Sequence, residues 1–326
     1  MQRLLAVAVR MALAGVALTT ISGAHAQDAW PSKPVKILVG LAPGGGTDIQ
    51  ARLFSQKLSE DLGRTFLVEN RPGAGEVIAI QATIAAAPDG YTVLATTPSL
   101  TVGPAFYDKP LFDPVKDLAP VSLVTKAPYL VVVPGSSPYK TVKELLAFAK
   151  SSPGALNFGT SGAGTPIQLG AAWIASVLGT PVTIINYKGT GPVLTALLAN
   201  EIHVSFANPI SALSQVKTGK LRALAVTSLE RSKVFPDLPT VAESGVTGLD
   251  VTTWHAWLVP RATPAAVIGR MNAALVKMIQ SRDIADKLIA EGGEPVGSTP
   301  ELLAQVIATE LPRWKKLVKD SGMKLE

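Results

Sequence analysis

Three short stretches combine the residue types that can hold an anion: "APGGGTD" (42–48), "GTSGAGTP" (159–166) and "YKGTGP" (187–192). Each follows an apolar run and precedes a helical pattern, so each reads as strand, glycine-rich turn, helix start. The first N–H groups of a helix have no partner inside it and lie at the positive end of its dipole, which favours a negative group. Thr47, Ser161 and Thr165 add hydroxyls, and Lys188 adds a positive charge. Stricter chemistries fail on spacing. A P-loop needs Lys where Thr165 stands, and a dinucleotide fingerprint needs a last glycine that "GGGTDI" lacks. Gly159-Thr160-Ser161-Gly162-Ala163 misses the nucleophile elbow, and no Asp-His pair can be placed beside Ser161. Asp48, at a helix start, reads more readily as a cap than as a catalytic carboxylate. His203 and His255 form no spaced metal motif, and each reads as a structural or surface histidine.

These turns need strands before them and helices after them. Strand-like runs fall at 35–41, 65–70, 91–97, 119–125, 129–134, 157–161, 183–187, 204–208, 221–228 and 251–260. Helical spacing appears at Ile49, Leu53, Phe54, Leu58 and Leu62, again at Leu145, Leu146 and Phe148, and in "PVLTALLAN" after Gly191. Strand alternating with helix predicts parallel sheets flanked by helices, with ligands at the carboxyl ends of the strands. The last third is mostly helical, with starts at Thr263-Pro264 and Ser298-Thr299-Pro300 and a stop at Gly292-Gly293; Pro312 should kink or break the last helix. These helices need a sheet to cover, and the one built from 35–97 is at hand. The chain therefore reads as a discontinuous first domain (27–124 plus 251–326) and a continuous second one (125–250).

The first 26 residues carry Arg3 and Arg10, an apolar middle and Ala24-His25-Ala26, the pattern of a secretory signal peptide cleaved after Ala26. Without Arg3 and Arg10, 28 basic residues face 24 acidic ones, a net charge of +4. The excess is spread along the chain. "RWKKLVK" (313–319) is the one dense cluster, and it reads as a solvated helix face; nucleic-acid binding is not expected. With no cysteine, thiol chemistry and cysteine metal sites are excluded.

"PGGGTD", "VENRPGAG" (68–75), "APDGYTVL" (87–94), "DPVKDLAPVSLV" (113–124), "YKGTGP" and "GKLRALAVTSLERSKVFPDLPTVAESG" (219–245) stand in this order along the chain. Together they resemble the extracytoplasmic solute receptors of tripartite tricarboxylate transporters, the Bug receptors. The resemblance implies a periplasmic-binding-protein-like fold, with two doubly wound α/β domains and a hinged ligand cleft between them. It implies a periplasmic, monomeric binding protein that passes a small organic carboxylate to membrane subunits of a transporter, with no catalysis, cofactor or metal. By matching motif, one carboxylate loop is Gly44, Gly45, Gly46, Thr47 and Asp48. The other holds Thr160, Ser161, Gly162, Gly164 and Thr165. Ser99, Tyr187, Lys188, Asn208 and Trp254 complete the expected ligand-facing set, with core packing the equal alternative for Trp254.

The chain also departs from the family pattern. Gln168-Leu169 stands for a common His-Leu, and "IHVSFAN" lacks two acids, with His203 and Ala207 in their places. Thr195 replaces a frequent Asp, and "GAGEV" places Glu76 and Val77 near the cleft. The missing acid at Ala207 weighs against amino-acid ligands. A receptor presenting its ligand to a sensor needs the same cleft and stays open as an alternative; a secreted hydrolase using Ser161 or Asp48 lacks a triad.

Overall fold

The structure is a computed structural model that describes residues 30–107 and 109–321. The signal-peptide segment lies outside the described residues.

Two mixed sheets form two lobes. The first begins with β1 (Val35–Val39), β2 (Phe66–Asn70) and β3 (Thr92–Thr96), all parallel, with α1 (Gly46–Leu62) and α2 (Val77–Ile84) between them. A short helix, α3 (Ser99–Val102), follows β3. Then β4 (Leu118–Pro128) leads straight into β5 (Leu130–Pro134), the first strand of the other lobe. That lobe adds α4 (Val142–Ser151), β6 (Asn157–Thr160), α5 (Pro166–Leu178), β7 (Thr183–Asn186), α6 (Thr190–Leu198), β8 (Val204–Ala207), α7 (Pro209–Lys217) and β9 (Leu221–Val226). The chain returns as β10 (Thr252–Pro260) and ends with α8 (Ala265–Ile279), α9 (Arg282–Ala290), the two-residue β11 (Glu294–Pro295) and α10 (Pro300–Ser321). The sheet orders are β11-β4-β10-β3-β1-β2 and β7-β6-β8-β5-β9.

The expectation of purely parallel sheets is corrected. β10 runs antiparallel to β3 and β4, and β5 runs antiparallel to β8 and β9. The reason lies in the crossovers: β4 leaves the first lobe beside β10, which returns to it. A departing strand and a returning strand laid side by side must point in opposite directions.

Alternation along the strands covers both faces of each sheet. On β1, Val35, Ile37 and Val39 face one core, with Phe54 and Leu58 of α1 and Met271 and Leu275 of α8. Leu38 points the other way, into a core with Ile80 of α2 and Leu303 and Ile307 of α10. The second lobe repeats the device on β5, with Val131 and Val133 against Leu145 and Ile174, and Leu130 and Val132 against Val193 and Leu197. The C-terminal helices therefore cover the first sheet, and α10 is one helix through Pro312. The expected break fails because both halves of α10 are anchored. Leu303 and Ile307 are buried before Pro312, and Trp314 packs after it with Val102 and, across the lobes, Leu169.

Candidate functional site

Helix starts, strand ends and the crossover strands meet between the lobes. The cavity there is lined by Leu41, Gly46, Thr47, Thr97 and Ser99 of the first lobe and by Ser161, Pro166, Ile167, Thr190 and Asn208 of the second. Tyr129, Thr253 and His255 line it from the crossover. Its volume is about 10 Å³, room for about one water, so the lobes are closed on each other. No Lys, Arg, Asp or Glu lines it.

What converges instead is helix N-termini: Gly46-Thr47 open α1, Pro166-Ile167 open α5, Thr190 opens α6, and Asn208 caps α7. Two of these starts are closed by side chains. Thr165 Oγ1 accepts from the Gln168 N–H and donates to the Gly162 carbonyl, and Asn208 Oδ1 accepts from the Ile210 N–H at 3.0 Å. The caps of α1 and α6 are Gly45 and Gly189, which have no side chain to give.

The glycines also let the two backbones touch. The Ala42 N–H donates to the Lys188 carbonyl across the cleft at 2.8 Å. A Cβ on Gly191 would lie 2.3 Å from the Pro43 carbonyl oxygen, and one on Gly75 would lie 2.1 Å from that of Ala163. A Cβ on Gly46 would meet the Asn208 amide carbon at 2.7 Å.

Of the residues expected to face a ligand, Gly46, Thr47, Ser99, Ser161 and Asn208 line this cavity. The others stand behind or beside it. Gly44 and Gly45 face Gly191 and Thr190 of the opposite lobe. Asp48 is buried and occupied: Oδ2 accepts from the Gly44 N–H at 3.0 Å, and Oδ1 accepts from Arg52 and Asn70, each at 3.0 Å. Burial alone would raise its pKa, but the bonds from Arg52, Gly44 and Asn70 prevail and hold it below the usual carboxylate range. Thr160 bonds to Asn186, Gly162 and Gly164 take positive φ in the turn, and the Gly164 N–H donates to Gln168 Oε1. Thr165 is fully buried, and its hydroxyl is spent on the cap of α5 rather than facing the cavity as the resemblance implied. Tyr187 packs beside the core of the second lobe, and Lys188 is exposed at the rim. Trp254 lies in the core of the first lobe, its indole N–H donating to Glu310 at 2.9 Å.

The sequence reading missed Thr97, Tyr129, Thr190, Thr253 and His255. Thr190 carried a signal, since it sits inside "YKGTGP". His255 is buried, with Nδ1 3.0 Å from both Gln50 Nε2 and Thr125 Oγ1. Its Nε2 is 3.3 Å from Asn208 Nδ2. Asn208 Oδ1 is spent on Ile210 and Gln50 Oε1 on Thr125, so an amide nitrogen faces each ring nitrogen, and this setting offers an imidazolium no carboxylate or amide-oxygen partner. Burial pushes the His255 pKa down to about 3. His203, half-buried, accepts the Asn157 N–H at 3.0 Å on the far side of the second lobe.

Larger cavities lie elsewhere but bring less together. One of about 500 Å³ runs along the second lobe past Val216, Arg222 and Phe235, and the Arg222 guanidinium there is spent on the carbonyls of Gly135, Ser137 and Tyr139. Another of about 660 Å³ lies behind the crossover. Its charged residues include Lys126, paired with Glu294, and Arg231, paired with Glu243.

The family model described as the tripartite tricarboxylate transporter family receptor matches residues 50–323. The UPF0065 protein of the tcbD-tcbE intergenic region of Pseudomonas sp. (strain P51) is 36% identical, over 95% of this chain and 93% of its own. Among solved structures, the periplasmic binding protein BugD superposes with a TM-score of 0.87 at 30% identity, covering 91% of this chain and 100% of its own. The R. palustris protein Rpa4515, solved with adipate, gives 0.86 at 31% identity, covering 90% of this chain and 99% of its own.

Proposed function

The chain belongs to the receptor family of tripartite tricarboxylate transporters, a family of solute-binding receptors, and we propose that it binds a small organic carboxylate between its lobes in the periplasm and hands it to the transporter's membrane subunits. One observation carries the carboxylate: four helix N-termini from both lobes converge on a cavity with no charged side chain in its wall. Oriented N–H groups and helix dipoles supply an anion's partners without an ion pair. The adipate held by Rpa4515 is a ligand of that kind.

Binding is a hinge motion in this reading. A cavity of about 10 Å³ admits no organic acid until the lobes part. The hinge lies where β4 passes into β5 around Tyr129 and where the chain returns at Val251. The moving bodies follow the domains expected from the sequence, 27–124 plus 251–326 and 125–250, except that the first lobe carries β4 as far as Pro128, because all of β4 pairs with β10. Export with removal of residues 1–26 and a monomeric, non-catalytic receptor complete the proposal. A thermal-shift and calorimetric screen of mono- and dicarboxylates against the mature chain tests it. A binder at 100 times its Kd should add about 2.7 kcal/mol of stability. If no carboxylate in such a panel shifts the unfolding midpoint or releases heat, the proposal fails.

A further inference from the structure

One buried acid near the cavity is absent from the site just described. Glu76 is fully buried, with a left-handed backbone (φ 79°), and it fills space that exists because residue 40 is glycine. A Cβ on Gly40 would lie 2.6 Å from that of Glu76. Its carboxylate collects donors from the cavity wall. Thr96 Oγ1 donates to Oε2 at 2.6 Å, Thr97 Oγ1 donates to Oε1, the Thr97 N–H lies 3.4 Å from Oε2, and the Ser99 hydroxyl bonds to the same group. Four donors on two oxygens match the accepting capacity of an ionised carboxylate. Burial raises the Glu76 pKa, and these bonds oppose the rise.

The consequence falls on the two hydroxyls that reach the cavity. Thr97 and Ser99 line it, yet both of their protons are directed inward to Glu76 or to each other. Thr97 Oγ1 also accepts the Ser99 N–H at 3.2 Å. Toward the cavity these two groups turn oxygen lone pairs, with a buried acid behind them. The opposite wall offers helix N–H groups. Resting on the proposed carboxylate function, we infer that Glu76, Thr97 and Ser99 form an acceptor subsite, so that the receptor selects a carboxylate also bearing a hydroxyl or ammonium donor over a plain dicarboxylate. A second carboxylate placed there would meet lone pairs without a donor, which is how a site rejects a competitor. This acid stands on the opposite lobe from Ala207, where the sequence shows none, and it restores an acceptor for a donor-bearing ligand.

The test is a matched panel of four-carbon acids (butyrate, 4-hydroxybutyrate, 4-aminobutyrate and succinate), titrated by calorimetry into the mature wild type, Glu76→Gln and Ser99→Ala. The wild type should bind the hydroxy or amino acid at least about ten-fold more tightly than succinate, and the two arms show which donor is preferred. In Glu76→Gln the amide donates to a threonine hydroxyl and turns one proton toward the cavity, so the preference should shrink at least five-fold and succinate should gain. Ser99→Ala removes one acceptor and should narrow the same ratio, which keeps the test alive if Glu76→Gln fails to fold. Carboxylate binding with succinate equal or favoured in the wild type overturns the acceptor subsite and leaves the receptor function standing. Binding of none of the four while a plain dicarboxylate of the wider screen binds overturns the subsite alone, and binding of no carboxylate in that screen overturns both.

Discussion

Helices α1 and α6 begin at glycine, whereas α5 and α7 begin at Thr165 and Asn208, and the four starts differ in what they have left to give. At α5 and α7 a side-chain oxygen already takes an N–H of the first turn. At α1 and α6 no cap side chain competes, and the missing Cβ atoms let the lobes close until backbones touch. Helices that start alike in sequence therefore divide the labour. The side-chain-capped pair is closed within its own lobe, and in the proposed function the glycine-capped pair keeps donors for a ligand.

The largest effect is expected where α7 meets His255. Burial keeps the imidazole neutral, and the amide nitrogens of Gln50 and Asn208 beside its two ring nitrogens offer a second proton no acceptor. The unfolded chain takes up a proton below its ordinary pKa of 6.5, while the folded one resists to about 3. Stability contributed by the neutral form is complete above 6.5 and is lost as pH falls through that window, by up to about 1.4 kcal/mol per pH unit. Subtracting the urea-unfolding curve of His255→Gln from that of the wild type across pH 7 to 4 should isolate this slope. Parallel curves would show that burial does not depress the His255 pKa.

Next in size is closure at the glycine-capped pair. Gly191→Ala puts a Cβ against the Pro43 carbonyl of the other lobe, a clash with backbone that cannot turn aside. Overpacking of this kind costs about 1–3 kcal/mol, so carboxylate affinity should fall roughly five- to hundred-fold while the unliganded unfolding midpoint barely moves. Calorimetry beside a thermal melt separates the two effects.

Ser161 and Thr165 sharpen the comparison within a single loop. Ser161 lines the cavity, and Ser161→Ala should weaken binding about ten-fold at nearly constant stability. Thr165 is spent on its cap. Thr165→Ala should cost about 1 kcal/mol of stability, with affinity held within about three-fold. Equal binding losses in both variants would erase the distinction between capping and ligand-facing hydroxyls. The smallest effect belongs to Lys188, whose exposed ammonium is screened by solvent; Lys188→Ala should change affinity less than about two-fold at 0.15 M salt.

Much of the fold was legible because strands advertise themselves. Each of the ten strand-like runs became a strand; the central ones, such as β1, β3 and β5, are buried on both faces, whereas the edge strands β2 and β7 are largely open. Direction was not legible, since periodicity reports which face is buried and not which way a neighbour runs; β5 and β10 turned antiparallel for that reason. The two-residue β11 is too short for any pattern. In the site, glycine runs marked three of the four converging turns. Their division into caps and ligand-facing starts was hidden, because Thr47 and Thr165 look alike until the partner of each hydroxyl is known. Thr97, Thr253 and His255 read as ordinary strand or strand-end residues, and it is the pairing of β10 with β3 that brings them to one wall.

The most direct test of the central claim is a crystal structure of the mature chain with the tightest-binding carboxylate from the panel. Carboxylate oxygens should lie about 3 Å from backbone nitrogens in the first turns of α1 and α6, at Thr47 and at Thr190 or Gly191. A ligand seated beside Val216 and Phe235 on the second lobe, or held between the lobes only through Lys188, would contradict it.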